Sequence, residues 1–93
     1  MAFKSDVLNA MFSRVLQETG ISRREIVSEV REHAVIEARF AMYLALRKHG
    51  YSTPTIGKML NRDHSTIVDG IRSARKRYEK SAAFRALVDK VVG

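Results

Sequence analysis

The stretch TPTIGKMLNRDHSTIVDGI, residues 53–71, contains the signals that decide the fold of this chain. Thr53 followed by Pro54 is typical of a helix N-cap and first helical position, where the missing N–H of proline costs no hydrogen bond. We expect the helix that begins there to end near Leu60. The segment therefore opens with a short helix of about two turns.

A second helix follows a tight connection made by Asn61 and Arg62. Asp63 is of a residue type that caps helices by accepting backbone N–H bonds. Beyond it, apolar residues recur at helical spacing and are expected to face inward: Ile67, Val68 and Ile71. Two helices joined by about three or four residues predict a helix-turn-helix, here at about residues 53–78.

Two helices are predicted near the N-terminus. Ser5 fits the N-cap of an amphipathic helix that ends before Gly20, and Ser22 with Glu25 forms a capping box that opens a short second helix. The expected inward positions are Val7, Leu8, Met11, Phe12, Val15 and Leu16 in the first helix and Ile26, Val27 and Val30 in the second.

A long helix and a terminal helix complete the pattern. Strong helix formers run from about Ala34 to Lys48 and stop at Gly50, and Ser81 fits the cap of a last helix. The apolar positions are Ile36, Phe40, Tyr43, Leu44 and Leu46 in the long helix and Phe84, Leu87, Val88 and Val91 in the last. With no strand-like alternation, the sequence predicts an all-α, compact domain of about five to six helices.

The length of 93 residues suits one domain with a modest core. We therefore expect residues 1–93 to form a single domain. Its first helix, within residues 1–20, is expected to pack on the core. Residues 21–80 would contain the helix-turn-helix, and residues 81–93 the last helix.

Charge is concentrated in the second part of the chain. There are 17 Lys and Arg against ten Asp and Glu, a net charge of +7. The first 21 residues carry as many acidic as basic side chains, whereas residues 62–80 carry six basic and three acidic ones. Positive charge clustered in this way is typical of a polyanion-binding protein, and it favours nucleic acid over a membrane as the partner.

Several functional classes are disfavoured by what the sequence lacks. There are no cysteines for disulfides or thiolate ligands, and His33, His49 and His64 are too scattered for a zinc site. No phosphate-binding G-x-x-x-x-G-K-[ST] motif, signal peptide or membrane-spanning apolar run occurs. We expect no metal, no cofactor, no nucleotide and no membrane, and a cytoplasmic protein.

RDHST, residues 62–66, contains the residue types of a hydrolase triad. Consecutive residues on a helix point about 100° apart, so Asp63, His64 and Ser65 cannot easily form the relay that nucleophilic catalysis needs. No G-x-S-x-G elbow supports catalysis either. The sequence therefore predicts that the protein is not an enzyme.

Two interpretations of RDHST remain open on these grounds. In the simpler one, Asp63 is only a helix cap, and His64, Ser65 and Thr66 are solvated first-turn residues. In the other, they begin the second helix of a helix-turn-helix, whose N-terminal residues contact base edges. Asp can accept from cytosine N4, His and Ser can bond to base edges, and the Thr methyl group can touch a thymine methyl group.

Four motifs support the second interpretation: RDHSTI (62–67), AMYLA (41–45), TPTIG (53–57) and ISRREIVS (21–28). In this order and at this spacing, they resemble the C-terminal DNA-binding domain of the bacterial replication initiator DnaA. RDHSTI is similar to the signature at the start of that family's recognition helix, and TPTIG to its L-P-x-I-G. The resemblance extends from Ile21 to about Lys76.

The resemblance implies a Trp-repressor-like helix-turn-helix that reads double-stranded DNA at an asymmetric box. It implies base contacts by Asp63, His64, Ser65 and Thr66, with Pro54 close to a base. It implies phosphate contacts by Ser52, Arg62 and Arg72, and Arg39 and Lys76 are further candidates for phosphate contacts.

The chain departs from the family pattern before its long helix. The family's basic loop usually has several Arg and Lys, one of which enters the minor groove. VREHAVIEAR (30–39) offers Arg31 for that role, and Arg39 stands where a glutamine is expected. Asp69 occupies a position often held by a phosphate-contacting histidine. We therefore expect a different box sequence and a lower affinity.

The predicted function is sequence-specific binding of double-stranded DNA by a stand-alone, nucleoid-associated module. It would act in replication initiation or its regulation, or in transcriptional regulation. The alternative is a protein-interaction module that keeps the fold but binds DNA weakly or not at all. The electrostatically neutral first helix is a candidate surface for a protein partner.

Overall fold

A computed structural model of the chain describes residues 6–93, and this part contains six α-helices and no strand. The helices are α1 Asp6–Thr19, α2 Arg23–Ile26, α3 His33–His49, α4 Thr53–Leu60, α5 His64–Lys80 and α6 Ala82–Val92. The all-α prediction is confirmed. Ser5, the predicted cap of α1, lies outside the described residues.

Local capping signals set most helix boundaries. The capping box is present, since Ser22 Oγ accepts from the Glu25 N–H at 3.2 Å and Glu25 Oε1 accepts from the Ser22 N–H at 3.1 Å. Ser81 Oγ accepts from the Phe84 N–H at the start of α6. Gly50 ends α3 in the left-handed region, with φ 111°, as its position in the sequence predicts.

Two predicted caps differ from the structure. Ser52, rather than Thr53, is the N-cap of α4, and its hydroxyl accepts from the Thr55 N–H. Asp63 occupies the N-cap position of α5, but its carboxylate accepts no capping hydrogen bond. The carboxylate of Asp63 therefore stays available to other donors.

Helix α3 lies at the centre and contacts each of the other five helices. Every residue from Ala41 to Leu46 is buried, so its apolar character extends around the helix, as expected for a core helix. Helix α1 packs on α3 and α6. Leu16 and Val30, which were predicted to face inward, are instead 49% and 39% exposed.

Two glycines set the position of the helix-turn-helix, and the sequence pattern did not indicate this steric role. A Cβ on Gly57 of α4 would lie 2.6 Å from the carbonyl oxygen of Arg62 in the turn. A Cβ on Gly70 of α5 would lie 2.4 Å from the ring of Tyr43 on α3. Both approaches are too close for any side chain, so these glycines let α4 meet the turn and α5 meet the core.

Candidate nucleic-acid interface

The start of α5 presents four consecutive polar residues to solvent. Asp63, His64, Ser65 and Thr66 are all exposed, whereas Ile67, the next residue, is fully buried. These four side chains contribute nothing to the apolar core. The exposed position is the one that a recognition helix requires of the residues that contact bases.

His64 connects the starts of the two helices of the motif. Its Nε2 lies 2.7 Å from Oγ1 of Thr53, the first residue of α4. This hydrogen bond leaves Nδ1 as the ring's other polar atom. The contact holds the imidazole at the junction of α4 and α5.

A groove of about 810 Å3 runs past this junction. It is lined by Arg31, Pro54, Arg62, Asp63, His64 and Thr66, all named from the sequence as site residues, and by Glu29, Gly57, Lys58 and Asn61. Tertiary folding thus brings a loop before α3 together with both helices of the motif. Lys58, four residues after Pro54 and on the same side of α4, was missed, although helical spacing could have indicated it.

The remaining predicted residues lie outside the groove. Ser65 is exposed beside it, and Ser52, Arg72 and Lys76 are exposed on α5 or at the start of α4. Arg72 Nη1 lies 3.5 Å from Asp69 Oδ1 in a solvent-exposed ion pair. Such a pair contributes little to stability, so the guanidinium of Arg72 can exchange this partner for another anion.

Arg39 does not occupy the position that a phosphate contact needs. It is only 7% exposed, and its guanidinium donates to backbone carbonyls of the chain before α3. Nε and Nη2 of this guanidinium are thus bonded inside the protein and are not free for a phosphate. The burial of Arg39 argues against the predicted phosphate contact, and this burial depends on residues distant in sequence that the local pattern does not reveal.

Arg62 lines the groove, but its terminal nitrogens also donate to backbone carbonyls. It is half-buried, next to Tyr43 of the core. Burial raises the pKa of the Tyr43 hydroxyl, and the positive charges of Arg62 and Arg39 act in the opposite direction. Most of the hydrogen-bonding capacity of Arg62 is thus used inside the protein.

Among residues 6–93, no cluster of three or more His, Cys, Asp or Glu could hold a metal ion. In the same range, no helix has the length and apolar character needed to cross a membrane.

The family model described as the bacterial dnaA protein helix-turn-helix matches residues 9–74. This chain belongs to that family. The match confirms the resemblance carried by RDHSTI, AMYLA and TPTIG. Members of the DnaA helix-turn-helix family are DNA-binding domains rather than catalytic ones.

Relatives of known name agree with this membership. The chain is 32% identical over 90 residues to the chromosomal replication initiator protein DnaA of Thermotoga sp. (strain RQ2). This alignment covers 95% of this chain and 20% of the relative. The chain is 32% identical over 91 residues to that of Lachnoclostridium phytofermentans, covering 96% and 20%. To DnaA 1 of Chlamydia pneumoniae the chain is 34% identical over 70 residues, and the alignment covers 73% of this chain and 15% of the relative.

The chain therefore spans about a fifth of the length of the first of these DnaA proteins. No solved structure matches the chain.

Proposed function

We propose that the chain binds double-stranded DNA sequence-specifically, with the start of α5 in the major groove. The single observation that carries this proposal is the groove in which exposed side chains of α5 meet Pro54 of α4 and Arg31 of the loop before α3. A recognition helix reads bases with its N-terminal residues, and those residues are free of the core here.

Each outward residue has a role that fits its chemistry. The carboxylate of Asp63, which caps no helix N–H, can accept from cytosine N4. His64 and Ser65 can bond to base edges, and the methyl group of Thr66 can contact a thymine methyl group. Pro54 lies at the groove wall, where a base can approach it.

The DNA backbone is contacted by basic and polar side chains around these base-reading residues. We assign phosphate contacts to Arg72 and Lys76 on α5, to the Ser52 hydroxyl and, in addition to the sequence prediction, to Lys58 of the groove wall. Arg31 is assigned to an adjacent minor groove, because narrow A·T-rich grooves attract arginine through their negative potential.

As a DNA-binding module without catalytic function, the protein would act in replication initiation or its regulation, or in transcription. It would do so in the cytoplasm, on the nucleoid and without a nucleotide. Occupying boxes that an initiator also recognises is the simplest such role. The α1 surface is the part of the molecule that we propose for a protein partner, since it carries exposed Leu16.

One observation favours a second function, that of a protein-interaction module. Glu29 lines the same groove as Arg31 and would repel phosphates there. The net charge of +7 and the retained Arg62 to Thr66 segment weigh in favour of DNA.

Selection of bound sequences from a random duplex pool tests the proposal. We expect one enriched asymmetric box. With about four to six phosphates neutralised, log K for that box should fall with log salt concentration at a slope of about −4 to −5. An interaction module would enrich nothing and show a slope near zero. Ser65→Ala should lower the preference for the box and leave binding to random duplex nearly unchanged, because the Ser65 hydroxyl is assigned to a base edge and not to a phosphate.

A further inference from the structure

The loop at residues 27–32, which connects α2 to α3 and carries Arg31, has no regular secondary structure. Its outer residues are exposed, and Val30 is one of the exposed large apolar residues of the described chain. Val27, at the start of the loop, packs against the core, but the residues on either side of Arg31 are exposed. Hydrogen bonds hold its backbone: the Ser28 hydroxyl donates to the Glu25 carbonyl at 2.6 Å and accepts from the Val30 N–H at 3.2 Å, and two arginines outside the loop donate to its carbonyls.

Arg39 of α3 approaches the loop from the core. Its Nε donates to the carbonyl of Ile26 at 2.8 Å, and its Nη2 donates to the carbonyls of Glu25, Ser28 and Val30 at 3.2, 3.0 and 3.2 Å. Burial lowers the pKa of Arg39, and the nearby charge of Arg62 lowers it further. The guanidinium is thus committed to carbonyls on both sides of the bend between α2 and the loop.

Arg62 approaches the same bend from the helix-turn-helix. Its Nη1 donates to the carbonyl of Val27 at 3.2 Å, and its Nη2 donates to the carbonyls of Ile26 and Ser28. Nη1 also donates within the turn, to the carbonyl of Asn61 at 3.1 Å. The carbonyls of Ile26 and Ser28 therefore accept from both arginines.

The two arginines link the loop to opposite ends of the reading surface. Val30, whose carbonyl Arg39 holds, directly precedes Arg31, and Arg62 directly precedes Asp63. A smaller cleft of about 350 Å3 separates the loop from α5, and both Arg31 and Thr66 line this cleft and the groove. A shift of the loop would therefore change the distance between the major-groove and minor-groove contacts.

We infer that Arg39 and Arg62 form a clasp that fixes Arg31 relative to the start of α5. Both are positioning residues, and neither needs to touch DNA. A planar guanidinium with five N–H donors can satisfy several carbonyls at once, which a lysine or glutamine cannot do. The inference rests on the proposed function, because it assigns the source of flank recognition within that function.

Two duplexes and four proteins test the clasp. The duplexes carry the selected box with either an A·T or a G·C flank, and the proteins are wild type, Arg31→Ala, Arg39→Gln and the double variant. We expect Arg31→Ala to reduce flank discrimination by about fivefold or more. Arg39→Gln should reduce it equally, with no further loss in the double variant. Discrimination between the box and random DNA should persist in all four.

Two further variants separate the clasp from simpler explanations. Arg39→Lys keeps the charge but lacks the planar fork, so it should behave as Arg39→Gln does; if general electrostatics held the loop, it would behave as wild type. Arg75→Gln removes one exposed charge of α5 and should leave flank discrimination unchanged. Arg39→Lys also serves as the test variant if Arg39→Gln does not fold.

A measurement without DNA completes the design. Amide hydrogen exchange at residues 27–32 should accelerate about tenfold in Arg39→Gln, while exchange in the core of α3 stays unchanged. If wild type selects no box, the proposed function fails, and the inference fails with it. If wild type shows flank discrimination that Arg31→Ala loses and the Arg39 variants keep, the proposed function stands and the clasp is wrong.

Discussion

The start of α5 and the loop at residues 27–32 line one groove, but different forces hold them. Asp63 to Thr66 begin a helix whose inner face, at Ile67 and Ile71, is buried in the core. In the loop, Val27 packs against the core, and the backbone beyond it is held by the Arg39 and Arg62 side chains together with the Ser28 hydroxyl. One surface is supported mainly by apolar contacts and the other mainly by hydrogen bonds from side chains.

This difference predicts how each surface responds to change. At the start of α5, the buried residues behind the outward side chains set the backbone, so we expect a substitution of an outward side chain to affect recognition more than folding. In the loop, the side chain that recognises and the side chains that support it are different residues. Recognition by the loop can therefore be lost by substituting a supporting residue while Arg31 itself is unchanged.

The largest effect is expected where the support of α5 itself is removed. Gly57→Ala forces a Cβ to within 2.6 Å of the Arg62 carbonyl oxygen, and we expect the free energy of unfolding to fall by about 1–3 kcal/mol. Chemical denaturation measures this change. Lys58→Ala, at the exposed neighbouring position, is the control and should stay within about 0.5 kcal/mol of wild type. Equal stability of the two variants would contradict the tight turn.

Removal of the outward side chains should separate recognition from folding. His64→Ala and Thr66→Ala are each expected to lose about 1–3 kcal/mol of discrimination for the selected box, while binding to random DNA stays nearly constant. Competition binding at matched salt measures the ratio. Ser73→Ala, also exposed on α5, is the control. If both variants keep the wild-type ratio, these residues are only solvated first-turn residues.

A smaller and more selective effect is expected in the loop. Arg31→Ala should remove about 1 kcal/mol of preference for A·T-flanked sites and leave the box preference intact. Arg24→Ala removes the same charge from α2 and should affect A·T-flanked and G·C-flanked sites alike. Titration of each variant with the A·T-flanked and the G·C-flanked duplex measures the preference. A flank preference that Arg31→Ala leaves unchanged would mean that the loop contacts no minor groove.

Phosphate contacts should give the smallest changes in specificity. Arg72→Ala and Lys76→Ala should each flatten the salt slope by about one and weaken binding to all sequences similarly. Lys90→Ala is a matched control, because Lys90 pairs with Glu18 between α6 and α1. A slope that Arg72→Ala leaves unchanged would place that face of α5 away from DNA.

For folding stability, the smallest change is expected at Asp63. Because its carboxylate accepts no capping hydrogen bond, Asp63→Ala should change the free energy of unfolding by no more than about 0.5 kcal/mol. Ser81→Ala, which removes a cap that is present, should cost about 0.5–2 kcal/mol. Thermal unfolding of the two variants shows whether Asp63 supports α5 or only recognises DNA.

The sequence by itself determined the all-α fold, the helix-turn-helix and the position of RDHST at a helix start. Those features depend on local signals such as the Ser22 capping box, Gly50 and apolar spacing, and local hydrogen bonds and periodicity act over a few residues. Even here, the cap of α4 was misplaced by one residue, because adjacent Ser52 and Thr53 are both good caps.

Only the tertiary structure decided what each arginine does. Arg39 donates to a carbonyl 13 residues away and Arg62 to carbonyls 35 and 36 residues away, so no local pattern can show that Arg39 is buried or that Arg62 is occupied. The steric roles of Gly57 and Gly70 were missed for the same reason, since the atoms that exclude a Cβ belong to the turn and to α3. A charged or small residue has its role fixed by what lies opposite it, and that is set by how the helices pack.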